Sequence, residues 1–292
     1  HYSLVLPYGK CKENGLDELE GKRMIGGLTF GMQVLSEHDD IRQDVSLCKA
    51  LGLDFVELNA NLPRCMLSRL CPTEIRALAE AAGIGLTYHV AEDCDPFHFN
   101  PLVAAAWRDT LRAEISAARE LGVPVMTMHY PDGVYFTLPE DRLYLYERES
   151  VLHVDALDAL RQLCAEASNG HVLCLIENTN GFQPFQRKGI DRLLNDPVFG
   201  LTWDVGHDYS AGNADRVFLM ERAGRIRHMH LHDAGPRGNH LAAGDGVLDL
   251  GSMLTFAREH GCRVVLEIKT ADALSRSVAW VRAWAAGSRH GE

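Results

Sequence analysis

The chain has no pair of cysteines at C-x-x-C spacing, so it encodes neither a zinc ribbon nor a redox dithiol. Its eight cysteines are scattered, at Cys11, Cys48, Cys65, Cys71, Cys94, Cys164, Cys174 and Cys262, and read as reduced thiols. Cys174 stands inside an apolar run and is expected to act as a small hydrophobe. No apolar run approaches the roughly 20 residues that a membrane helix needs. No secretory signal pattern is found either, and the expectation is a cytoplasmic protein. The first residue is His1 rather than Met, which points to processing or trimming. Blocks of Lys and Arg are missing, and acidic residues outnumber basic ones 40 to 29, which weighs against a large nucleic-acid footprint. A linker rich in Pro, Gly or Ser is also missing, so 292 residues that are 46% hydrophobic read as one large domain.

What is present is alternation. Short apolar runs predict strands near 24–30, 54–59, 84–90, 124–130, 172–178, 199–205, 226–232 and 263–268. Amphipathic stretches predict helices near 39–51, 73–82, 101–121, 149–168, 189–194, 213–223, 250–260 and 272–286. The stripe Val103, Trp107, Leu111, Ile115 and Ala118 marks the third helix most clearly. Gly52, Gly83, Gly122, Gly170 and Gly261 supply stop signals before the next strand. Strands covered by helical crossovers imply a parallel sheet, and the count implies an α/β fold of the (β/α)₈ TIM-barrel type. A single barrel domain is expected over residues 24–288, preceded by an N-terminal arm or flap at 1–23.

Six of the strand-like runs end in a residue able to hold a metal: His89, His129, Glu177, Asp204, His230 and Glu267. A carboxylate buried alone costs roughly several kcal/mol or a shifted pKa. Repetition at successive strand ends therefore implies a shared site at the C-terminal face of the sheet. Side chains alternate along a strand, so His228, His230 and His232 share a face, as do Glu267 and Lys269, while Trp203 faces the helices. Glu177, Asp204, His230 and Glu267 form one oxygen- and imidazole-rich set suited to Zn²⁺, Mn²⁺, Co²⁺ or Mg²⁺. His89 and His129 complete a second set with Glu177 bridging.

Five segments carry a resemblance: I-E-N-T-N around Glu177, T-W-D-V-G-H around Asp204 and His207, M-H-L-H-D-A around His230, N-H-L-A-A-G-D-G around His240, and V-L-E-I-K around Glu267. Over about residues 24–286 the chain resembles the xylose isomerase-like TIM barrels. These include sugar isomerases, epimerases and endonuclease IV (AP endonuclease family 2). The resemblance implies that Glu177, Asp204, His230 and Glu267 bind one divalent metal and that the two glutamates also move protons. Endonuclease IV uses three zincs, and His89, His129, Glu177, Asp204, His207, His230, His240 and Glu267 match its ligand pattern. Its aspartate two residues before the match to His240 is replaced here by Gly238. That departure favours fewer metals and a small substrate.

The expected function is a metal-dependent isomerase or epimerase of a sugar, sugar phosphate, polyol or keto-acid. Glu177 and Glu267 form the acid–base pair, joined by His207, with His89, His232, Arg237 and Lys269 around a carbohydrate-like substrate. The alternative is a metal-dependent hydrolase or lyase, with a second metal at His89 and His129 and a further one at His207 and His240. A binding barrel without catalysis is the third reading. The aromatic segment 130–148, with Tyr130, Tyr135, Phe136, Tyr144 and Tyr146, is expected either to cover substrate or to pack on itself. Arg187 and Lys188 join Arg237 and Lys269 as cations able to reach the pocket, and G-D-G at 244–246 reads as a structural turn. The chain is compatible with a homo-oligomer.

Overall fold

The computed structural model describes residues 25–66 and 69–288. The expected arm at 1–23 lies outside the described residues. Twelve strands occur among them: β1 (Phe30–Gln33), β2 (Phe55–Asn59), β3 (Gly85–His89), β4 (Val125–His129), β5 (Tyr135–Thr137), β6 (Arg142–Tyr144), β7 (Leu173–Glu177), β8 (Phe199–Asp204), β9 (Ile226–Leu231), β10 (Asp233–Gly235), β11 (Gly238–Leu241) and β12 (Arg263–Leu266). The helices are α1 (Ile41–Ala50), α2 (Pro72–Ala82), α3 (Pro101–Leu121), α4 (Leu145–Arg148), α5 (Ser150–Ser168), α6 (Pro184–Leu193), α7 (Val205–Ser210), α8 (Arg216–Met220), α9 (Leu250–Glu259) and α10 (Ala271–Ser288).

Eight of the strands close into a parallel barrel in the order β1-β12-β9-β8-β7-β4-β3-β2. Helices stand between successive barrel strands, which is the TIM-barrel architecture expected from the alternation. Two hairpins decorate it: β5 with β6 after β4, and β10 with β11 after β9. Apolar strand residues such as Phe30, Met32, Val56, Leu58, Met126 and Cys174 are almost fully buried. Trp203 packs on Phe256 of α9 with ring centroids 5.2 Å apart, so it does face the helices.

Three expectations are corrected. The first strand lies at Phe30–Gln33 rather than 24–30. Gly26 and Gly27 hold φ of 61° and 79°, and the Leu28 amide donates back to the Ile25 carbonyl, so the run begins with a tight turn. On α3 the inward face holds Ala104, Leu111, Ile115 and Ala118, whereas Val103 is exposed and Trp107 half-buried. Each four-residue step on a helix advances the stripe by about 40°, so a strict i+4 series rotates toward solvent within two steps. The helix expected at 213–223 is present as the shorter α8, and an additional helix, α7, starts directly where β8 ends.

Candidate functional site

Asp204 is both the last residue of β8 and the N-cap of α7, where its Oδ1 accepts the His207 amide at 2.6 Å. The cap leaves Oδ2 turned toward the barrel axis, 3.9 Å from His230 Nδ1. That same Nδ1 lies 2.9 Å from Glu177 Oε1 and 3.2 Å from Glu267 Oε2. Glu177 ends β7, His230 lies in β9 opposite Asp204 in register, and Glu267 follows β12. One ligand atom from each of the four lies within 4.8 Å of all the others, and all four residues are buried.

These separations suit a small divalent cation. Two ligand atoms bonded at ~2.1 Å and subtending 90–110° stand roughly 3.0–3.4 Å apart. Three carboxylates and an imidazole form a hard, oxygen-rich donor set. The buried Glu267 Oε2 has no hydrogen-bond partner, so it is a ligand atom in waiting. Burial pushes Glu177 up, but the His230, His129 and His89 imidazoles outweigh it and hold the carboxyl well below the usual carboxylate range. Glu267 is likewise held low against burial, by His230 and then Lys269. Burial lowers His230, yet Glu177 and Glu57 overcome that and raise it well above an ordinary histidine.

Around this core the other histidines fall into two groups. His89 Nε2 lies 3.0 Å and His129 Nε2 3.3 Å from Glu177 Oε2. His89 Nδ1 donates to the Val90 carbonyl at 2.7 Å, which fixes that nitrogen as N–H and aims Nε2 at the glutamate. Burial opposes charge on His89, but Glu177 raises it to about 9. The second group is His207, His232 and His240, also close enough to share an ion. His232 Nε2 lies 3.1 Å from Asp204 Oδ1. Gly206 permits this approach, since a Cβ there would overlap the His232 ring. Burial pushes His240 down to about 4, leaving it neutral at pH 7.

Not every expected residue is brought in. Lys269 is: its Nζ donates to Glu267 Oε1 at 2.8 Å and to Gln33 Oε1 at 3.1 Å. Arg237 is not brought to the cluster. The Gly235–Gly238 pairing turns it out to solvent, where it donates to the Asp245 carbonyl at 2.8 Å. Arg187 is bound instead to Asp215 and the Ala214 carbonyl, and Lys188 is exposed on α6. Gly238 opens onto empty space at φ 137°. The aromatic segment divides: Tyr130, Tyr144 and Tyr146 pack with Phe97, His153 and Phe185, while Tyr135 and Phe136 stay exposed on the β5–β6 hairpin. The 244–246 turn is structural, with Asp233 accepting amides from Gly244 and Leu248.

The sequence reading overlooked Glu57. It sits in the middle of β2, fully buried, with Oε2 3.0 Å from His228 Nε2 and Oε1 3.0 Å from His230 Nε2. The available signal was a carboxylate inside the apolar run F-V-E-L, away from the strand end where ligands were sought.

The chain is 26% identical to an L-ribulose-5-phosphate 3-epimerase of Salmonella paratyphi C (strain RKS4594) over 256 residues, covering 82% of this chain and 86% of that protein. Among solved structures it resembles a D-tagatose 3-epimerase-like protein, with TM-score 0.71, 18% identity, 90% of this chain and 99% of that one covered. It also resembles a 3-keto-D-glucoside 4-epimerase from E. coli, with TM-score 0.70, 18% identity, and 88% and 99% covered. A family model described as "Xylose isomerase-like TIM barrel" matches residues 45–284, most of the length, and the chain belongs to that family.

Proposed function

We propose that this protein is a divalent-metal-dependent sugar epimerase. The observation that carries the reading is the convergence of Glu177, Asp204, His230 and Glu267 at the C-terminal mouth of the barrel. The names of its relatives, epimerases of ketoses and their phosphates, support a carbohydrate substrate. Glu177, Asp204, His230 and Glu267 would hold the ion. A divalent ion there supplies Lewis-acid stabilisation of the negative charge that develops on substrate oxygens when a C–H bond beside a carbonyl is broken.

The chain's own groups move the proton. One of Glu177 and Glu267 removes it from the carbon beside the carbonyl, and the other returns a proton to the opposite face, inverting that centre. Neighbouring imidazoles hold both carboxyls ionised in the resting protein, so either can accept the proton, and the glutamate that returns one must first take it up from a substrate hydroxyl or solvent. His89 and His129 hold the far oxygen of Glu177, and Lys269 steadies Glu267. His207, beside Asp204 and partly exposed, is placed to meet a substrate hydroxyl. His232 is instead buried, with Nε2 on Asp204 and Nδ1 accepting the His240 amide, so it supports Asp204 rather than substrate. The hydrolase or lyase alternative is not favoured, since the curated relatives above are epimerases. The net charge of −11 supports a small sugar over nucleic acid. A cytoplasmic setting belongs to the same proposal and is supported by Cys65, Cys71, Cys94, Cys164, Cys174 and Cys262, which are not in disulfides among the described residues. No helix of the described residues is long and apolar enough to cross a membrane.

The test is incubation of Mn²⁺- or Co²⁺-loaded protein with a ketose and ketose-phosphate panel in D₂O. Deuterium should enter the carbon beside the carbonyl, with the epimer accumulating. No exchange across the panel would overturn the reading.

A further inference from the structure

Glu57 has no part in the proton transfers just described, yet it is built into the axis of the barrel. Thr87, its register partner on β3, donates its hydroxyl to Glu57 Oε2 at 3.0 Å, and His228 Nε2 approaches the same oxygen at 3.0 Å. The other oxygen, Oε1, faces His230 Nε2 at 3.0 Å. Both atoms of that pair are buried and neither makes a hydrogen bond of regular geometry, so the contact is a close ion-pair approach, and neither atom has another hydrogen-bond partner among the described residues. His230 thus stands between two carboxylate environments: Nε2 toward Glu57, Nδ1 toward Glu177, Glu267 and Asp204.

A neutral imidazole carries one proton and offers one lone pair, and the partner of the protonated nitrogen decides which is which. An ionised carboxylate cannot donate, so it selects N–H on the nitrogen facing it, except where that nitrogen and the carboxylate would share a metal ion, as Nδ1 and Glu177, Asp204 and Glu267 would. We propose that Glu57 is a positioning residue for His230. It keeps the proton on Nε2 and orients the ring so that the Nδ1 lone pair points into the space shared by Glu177, Asp204 and Glu267. Thr87 and His228 fix Glu57 in turn, which accounts for a third histidine on that face of β9. Glu57 is itself fully buried, so its part is played through His230. This inference rests on the metal reading of the site.

The test compares Mn²⁺ titration calorimetry of metal-free wild type, Glu57→Gln and Glu57→Leu, with ¹⁵N NMR of the imidazoles in the Zn²⁺-loaded proteins. Wild type should bind one ion per chain, with His230 in the Nε2–H form. Glu57→Leu should weaken binding by about 10- to 100-fold, and the isosteric Glu57→Gln should fall between, keeping a wild-type melting curve. Glu57→Gln keeps the shape of the side chain, so the comparison stands even where Glu57→Leu does not fold. Unchanged affinity in a folded variant, or a wild-type His230 protonated on Nδ1, would overturn the role of Glu57. A wild type that binds no cation would instead sink the metal reading itself.

Discussion

Carboxylates are buried in two different regions of this barrel, and they behave in opposite ways. On the axis, Glu57 and Glu177 are surrounded by imidazoles, which outweigh burial and hold both carboxyls ionised. On the wall, Glu114 of α3 points at β3 and accepts the Tyr88 hydroxyl at 3.1 Å, and burial pushes it up to about 7. Burial is similar, so the neighbours decide the sign. The axis is a place prepared for charge, and the wall is a place that tolerates a proton.

The contrast breaks most sharply through the axis. Glu177→Gln or Glu267→Gln should leave the fold intact and lower kcat by about 10²- to 10⁴-fold, the usual worth of a general acid or base. Turnover of the best substrate, with circular dichroism as control, checks this, and near-normal kcat in both variants would place proton transfer elsewhere. A smaller effect is expected at the supporting histidines. His89→Asn removes the imidazole aimed at Glu177 Oε2 and should cost about 10- to 100-fold in metal affinity, read by calorimetry.

The wall gives the smallest effect, on stability rather than activity. The folded pKa of Glu114 is raised from 4.5 to about 7, so the folded state binds more protons than the unfolded state in that window. Stability is therefore lost as pH rises from about 4.5 to about 7, by no more than ~3 kcal/mol. Glu114→Gln should remove that loss and leave turnover unchanged. Urea unfolding at pH 5 and pH 8 measures it; parallel losses in both proteins would contradict the account.

The barrel and the ligand core were legible because both are written locally. An apolar run that stops at Glu177 or Asp204 announces a strand and a strand-end group together. What was not legible depends on closure. Glu57 meets His230 only because the sheet closes and brings β2 across the axis from β9, 173 residues later in number, a pairing no local spacing reveals. The diversion of Arg187 to Asp215 is likewise long-range. The displaced first strand was a local misreading, since Gly26 and Gly27 were visible turn signals inside an apolar run.

The most direct test of the central claim is an anomalous difference map from crystals of this protein soaked in Mn²⁺. The account predicts one strong peak at roughly 2.0–2.3 Å from oxygens of Glu177, Asp204 and Glu267 and from Nδ1 of His230. A map with no peak there, or with its only peak among His207, His232 and His240, would contradict it.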